Sequence, residues 1–129
     1  MARALDTNVV VRFLINDHPE QTAVAQRLFQ QDFIISASVF MESEWVLRSV
    51  FRWNRASIAA AFRAVLDLPT LVSAPPDLGW ALEHFAAGAD FADMIHLAAA
   101  QGASVFATFD RAIAPIVGTA TPIPIETLA

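Results

Sequence analysis

Short apolar runs alternate with longer amphipathic stretches along this chain, and that alternation admits few architectures. Ala2 to Leu5, apolar apart from Arg3, ends at Asp6 and reads as a largely buried first strand. Phe33 to Ile35 gives a second strand, Leu71 and Val72 a third, Val105 to Ala107 a fourth, and Ile123 to Ile125 is the candidate fifth. Between them, Val9 to Ile15 reads as a helix. Pro19 suits a helix start, with Val24 and Leu28 on its stripe. Ser36 or Ser38 can cap a long helix through Phe51, and Asn54 another to about Leu66. Asp77 is the capping aspartate of a helix to Phe85 with Gly88 behind it, and Gly102 closes one from Phe91 to Ala100. Strands alternating with helices predict an α/β fold: a central parallel sheet of four or five strands with helices on both faces. The 129 residues hold no repeat, linker or low-complexity tract, so one domain over 1–129 is expected.

Composition narrows the setting. Hydrophobic residues make up 56% of the chain and charged ones 16%, which implies a large core or an apolar surface kept for a partner. The stretch from Met94 to Phe109 lacks Asp, Glu and Arg but is too short to span a bilayer, and Pro115, Pro122 and Pro124 break the next one. No membrane span is expected, nor a signal peptide at this N-terminus. The absence of cysteine excludes disulfides and thiolate metal sites, and fits a reducing cytoplasm. Net charge is −5, and all eight basic residues are arginine. That balance is unusual for a protein that binds polyanions.

The acidic residues carry the chemistry. In parallel α/β sheets, ligands bind beyond the carboxyl ends of the strands. Asp6 lies there on the first strand, and Asp110 follows the fourth in Ala107-Thr108-Phe109-Asp110. Glu42 sits among Phe40, Met41, Trp45, Val46 and Leu47, and Asp93 beside Met94, Ile95 and Leu97. Carboxylates in apolar surroundings are costly unless paired or metal-bound. If these four converge they repel one another, and hard oxygen donors suit magnesium or manganese. Such an ion makes a bound water nucleophilic and neutralises charge on a phosphate, which suits the cutting of a phosphodiester. Convergence follows from the proposed fold and not from any spacing. Singly, Asp6 reads as ending a strand, Asp110 as capping a short helix at Arg111, and Glu42 as lying on a solvated helix edge like Glu44. Asp90 is placed to cap the helix that holds Asp93.

These residues resemble the PIN-domain ribonucleases, especially the VapC-like toxins of bacterial toxin–antitoxin pairs. The resemblance runs nearly end to end: Leu5-Asp6-Thr7-Asn8-Val9, Met41-Glu42-Ser43-Glu44-Trp45-Val46-Leu47, Ala89-Asp90-Phe91-Ala92-Asp93-Met94-Ile95-His96-Leu97 and Thr108-Phe109-Asp110-Arg111. It implies a PIN-like fold and a magnesium-dependent endoribonuclease with Asp6, Glu42, Asp93 and Asp110 as the acidic, metal-binding set. Thr7, Asn8 and Thr108 would support them through hydrogen bonds, and Asp90 would assist. One or two ions, and which of Asp90 and Asp93 is the principal ligand, stay open; helix geometry favours Asp93 as ligand and Asp90 as cap. The resemblance further implies a homodimer, an RNA substrate and an antitoxin that occupies an apolar groove.

Arg48, Arg52 and Arg55 are candidates for RNA phosphates, balanced against a plain solvated face. His96, three residues after Asp93, is expected to pack or to sit at the surface. Trp45, Trp53 and Trp80 are expected in core or interface packing more than on bases. Two rival readings remain. A haloacid-dehalogenase-like phosphatase would use Asp6 as nucleophile, but it wants an aspartate where Asn8 stands and a downstream lysine that is absent. A PIN-fold binding module without catalysis is opposed by the complete acidic set.

Overall fold

Asp6 stands two residues past the first strand and begins the element that follows. Its extended backbone lets the carboxylate accept the Asn8 amide at 2.7 Å, which opens α1 (Thr7–Ile15) directly after β1 (Arg3–Ala4). α1 therefore starts two residues before the expected Val9. Pro19 stands at the first position of α2 (Pro19–Phe29), where His18 Nδ1 accepts the Gln21 amide. Ser36, not Ser38, caps α3 (Ala37–Ser49), which follows β2 (Phe33–Ile34). Asn54 caps α4 (Arg55–Leu66) at 2.8 Å from the Ser57 amide, and β3 (Leu71–Ser73) comes next. α5 (Leu78–Ala86), α6 (Phe91–Ala99), β4 (Phe106–Thr108), α7 (Ile113–Val117) and β5 (Ile125–Thr127) complete the chain.

The computed structural model describes residues 1–129 and divides them into two compact units, Met1–Pro75 and Pro76–Ala129. The first unit holds a parallel sheet in the order β1-β2-β3, with Arg3 opposite Phe33 and Phe33 opposite Leu71. Each step across it passes through two helices, α1 and α2 and then α3 and α4, because parallel neighbours need a long crossover. In the second unit β4 pairs in parallel with β5, Phe106 opposite Ile125. There α5 packs against α6.

The α/β class is as expected, but the sheet of four or five strands is not formed. Three strands pair in one sheet and two in another. The backbone bonds follow the same division. Arg3 and Leu5 amides donate to Asp32 and Ile34, which directs the ladder of β1 to β2. The Phe106 amide donates to Pro124, and that of Leu128 to Thr108 at 2.7 Å, which commits β4 to β5. An apolar run announces a strand, whereas its partner is a non-local choice. β1 is also less buried than expected: Arg3 and Ala4 are exposed at the edge of their sheet, and Leu5 alone is buried. β5 begins two residues past the expected Ile123, since Pro122 and Pro124 have no amide to give a ladder.

Phenylalanines fill the first unit. Phe13 and Phe29 stack with centroids 3.9 Å apart, Phe33 lies 4.8 Å from Phe29, and Phe40 meets Phe62 edge-on at 5.2 Å. α3 buries the stripe Phe40, Ser43, Glu44 and Leu47. Glu44 is thus not on a solvated edge: it is 6% exposed, and Arg48 one turn on meets it at 2.7 Å. Its place between two core residues seven apart put it on the buried face, and the i,i+4 arginine offsets the burial of its charge. Ser43, beside it, is fully buried with no partner for its hydroxyl. In the second unit Phe85 and Phe91 meet edge-on at 5.3 Å. Asp77 precedes α5 but does not cap it through its side chain. Its backbone is left-handed, with φ 52°, and its carboxylate instead accepts Gln101 Nε2 at 2.5 Å.

Candidate functional site

The first unit presents Asp6, Thr7, Asn8 and Glu42. Thr7 is almost fully buried, and its hydroxyl donates to Glu42 Oε1, so the first turn of α1 is tied to the second turn of α3. Asp6 and Glu42 are exposed and line one cleft of ≈ 340 Å³ together with Thr7, Asn8, Val39 and Val46. Neither carboxylate has a basic partner. Three arginines of this unit pair with other acids: Arg12 holds Asp17 at 2.7 Å, Arg48 holds Glu44, and Arg63 faces Asp67 at 3.9 Å. A larger cleft of ≈ 550 Å³ lies between α1 and α2, walled by Val9, Val24, Ala25 and Leu28, with Glu20 its one acid. The smaller cleft is the one that two carboxylates, Asp6 and Glu42, both line.

The second unit presents Asp90, Asp93 and Asp110. Asp90 caps α6, its Oδ2 accepting the Asp93 amide at 3.0 Å. Asp93 is half-buried in the first turn. Its carboxyl is held above the ordinary aspartate value, chiefly by burial and then by the negative charges of Asp90 and Asp110, with His96 acting in the opposite sense. Asp110 Oδ1 accepts the Ala112 amide at 2.9 Å, and its own amide donates to Thr108 Oγ1 at 3.0 Å. Thr108 thereby fixes the turn that carries Asp110. Asp90 and Asp110 both add to what burial does at Asp93, each disfavouring its ionised form.

The sequence-predicted residues therefore fall into two groups, Asp6 with Glu42 and Asp93 with Asp90 and Asp110. In neither unit do three acidic or histidine side chains gather as a ready metal-binding group. Of the three arginines proposed for RNA, Arg48 lies against Glu44, Arg52 is exposed at φ 61°, and Arg55 opens α4. His96 is at the surface, as expected. Trp80 packs, donating to the Ala120 carbonyl at 2.5 Å and lying 4.6 Å from the His84 ring. Trp45 does not join the core: it is 55% exposed. Sequence reading missed Val39 and Val46 as cleft walls, although both lie one helical turn from Glu42. It also missed that Thr7 bonds Glu42 itself.

No curated protein and no solved structure matches the chain. The PIN-domain profile matches residues 3–117, a span that runs from β1 through α7 and contains every acidic residue described above. PIN domains are generally nucleases, and no step of that assignment needs the phosphatase reading of Asp6. A match across both units, with Asp6 and Glu42 facing one cleft, leads to a plain conclusion: this chain belongs to the PIN-domain family.

Proposed function

We propose that the chain is a magnesium- or manganese-dependent endoribonuclease, with Asp6, Glu42, Asp93 and Asp110 as its acidic set. The observation that carries this reading is the buried Thr7 hydroxyl bonded to Glu42, which keeps a carboxylate without a basic partner in the cleft that Asp6 also lines. The donors in each unit are hard carboxylate oxygens, a donor chemistry that suits a divalent cation of the magnesium class. Such an ion, when bound, supplies a nucleophilic water and neutralises charge on the phosphate. The chain's own part is to fix the carboxylates. Asp6 is steadied by the Asn8 amide, Glu42 by Thr7, and Asp110 by the Thr108 turn. Cleavage of single-stranded RNA by the purified protein is expected to require magnesium or manganese and to stop with chelator, Asp6→Asn serving as the inactive control. Cleavage undiminished in chelator would overturn the metal mechanism.

The biological role proposed with it is that of a toxin in a toxin–antitoxin pair acting in the cytoplasm. The 56% apolar composition and the exposure of Val24, Val50, Val72 and Ile116 support a chain that associates with other protein surfaces. No helix is long and apolar enough to cross a membrane. A homodimer is expected by light scattering, together with co-purification of a small protein encoded by a neighbouring gene. A monodisperse monomer with no stable partner in its native host would count against the toxin role and leave the nuclease chemistry intact.

A further inference from the structure

Phe109 stands between two fixed residues and points its ring at solvent. It is 73% exposed, more than any large apolar side chain after the N-terminal Met1. One exposed apolar residue is ordinary by itself. Its position is not: Thr108 before it accepts the Asp110 amide, pairs with Thr127 of β5 and takes the Leu128 amide on its carbonyl, and Asp110 after it accepts the Ala112 amide. The ring is therefore held on a short constrained link, one residue from a carboxylate of the acidic set. The charge of the chain gives the second half of the argument. At net −5 with eight arginines and no lysine, the protein has few cations to offer to phosphates. Arg12, Arg48 and Arg63 moreover face acidic partners. A protein of this charge that holds RNA needs a source of affinity other than ion pairing, and aromatic rings stacking on unpaired bases are such a source.

We propose that Phe109 stacks on an unpaired base of the RNA and so positions the adjoining phosphodiester at Asp110. The inference rests on the nuclease reading and names the residue that grips the strand there: a splayed-out base is held by its face, with little preference for sequence and a shallow dependence on salt. In a duplex both faces of each base are already covered, so paired RNA is a poor ligand.

The test uses a fluorescent mixed-sequence single-stranded oligoribonucleotide and the same sequence as a duplex. Binding is followed by anisotropy in chelator, and kcat and KM are measured separately with magnesium. Phe109→Ala should weaken single-strand binding and raise KM by roughly ten- to a hundredfold, the effect of losing one stacked base, with a smaller change in kcat. Phe109→Trp should restore binding and Phe109→Leu should not, because the contact needs a ring face. Val72→Ala, which removes another exposed apolar side chain, should behave as wild type. Equal binding by Phe109→Ala, or full rescue by Phe109→Leu, overturns the proposal. A Phe109→Ala protein that binds RNA normally but fails to dimerise overturns it in favour of a protein contact. If the wild type binds single strands through Phe109 yet cleaves none with either metal, stacking stands and the nuclease reading falls. If the wild type does not bind RNA, both fall.

Discussion

Asp93→Asn is expected to lower RNA cleavage by about a hundredfold or more while leaving the metal-free protein as stable as before, or more so. Losing a supporting group around a metal ligand costs 10–100-fold, so losing a charged ligand should reach at least the top of that range. The stability side follows from the raised pKa of Asp93. A carboxyl whose folded pKa lies above its unfolded value of 3.8 favours the fold at lower pH. That contribution is fully present below 3.8 and is lost as pH rises through the folded value. At neutral pH the ionised Asp93 therefore weighs against the metal-free fold, through burial and the repulsion of Asp90 and Asp110. The neutral amide removes that burden. The stability difference between Asp93→Asn and wild type should accordingly grow as pH rises from about 3.8 and then level off, in chelator. Asp90→Ala should show the opposite pattern. It removes the carboxylate that accepts the Asp93 amide and should cost about 1 kcal/mol of stability, with cleavage partly retained. Chemical denaturation and metal-dependent cleavage of both variants decide the assignment. An inactive, stable Asp90→Ala beside an active Asp93→Asn would exchange the two roles.

Local chemistry accounts for what the sequence disclosed. Ser36, Asn54 and Asp90 act as caps because a short polar side chain before an apolar helix satisfies free amides without help from elsewhere. The family motifs are legible in the same way, since each is a few adjacent residues. Non-local choices were not. Nothing in Ala2 to Leu5 or in Phe106 to Thr108 says which strand each will pair with, and the expected continuous sheet dissolved at that point. Glu44 does not announce itself as buried, because an i,i+4 Glu–Arg pair is equally at home on a solvated face; the pair makes sense only once the stripe from Phe40 to Leu47 is turned inward. Phe109 carries no signal as an isolated residue. It becomes informative when its exposure is seen beside the turn that fixes Asp110.

Phe62→Ala is expected to cost about 3–5 kcal/mol, the range for truncating a fully buried aromatic side chain. That is a large share of the roughly 5–15 kcal/mol that holds a domain folded. Phe62 lies on α4 and is completely enclosed, and its ring meets Phe40 of α3 edge-on at 5.2 Å with planes 74° apart. An edge-to-face pair adds to the area term, and the rest of the penalty depends on how little the walls can close on the cavity. The consequence for function runs through α3. Phe40 is two residues before Glu42, and the bond from Thr7 reaches Glu42 only while α3 keeps its seat. Phe62 does not line the cleft, so at low temperature Phe62→Ala should still cleave RNA. Its activity should then vanish on warming together with the lowered unfolding midpoint, many degrees below wild type. Phe62→Leu, which keeps much of the volume, should lose distinctly less. A loss below about 1 kcal/mol for Phe62→Ala would mean that α3 and α4 close over the gap, and would remove this pair from the account of how Glu42 is held.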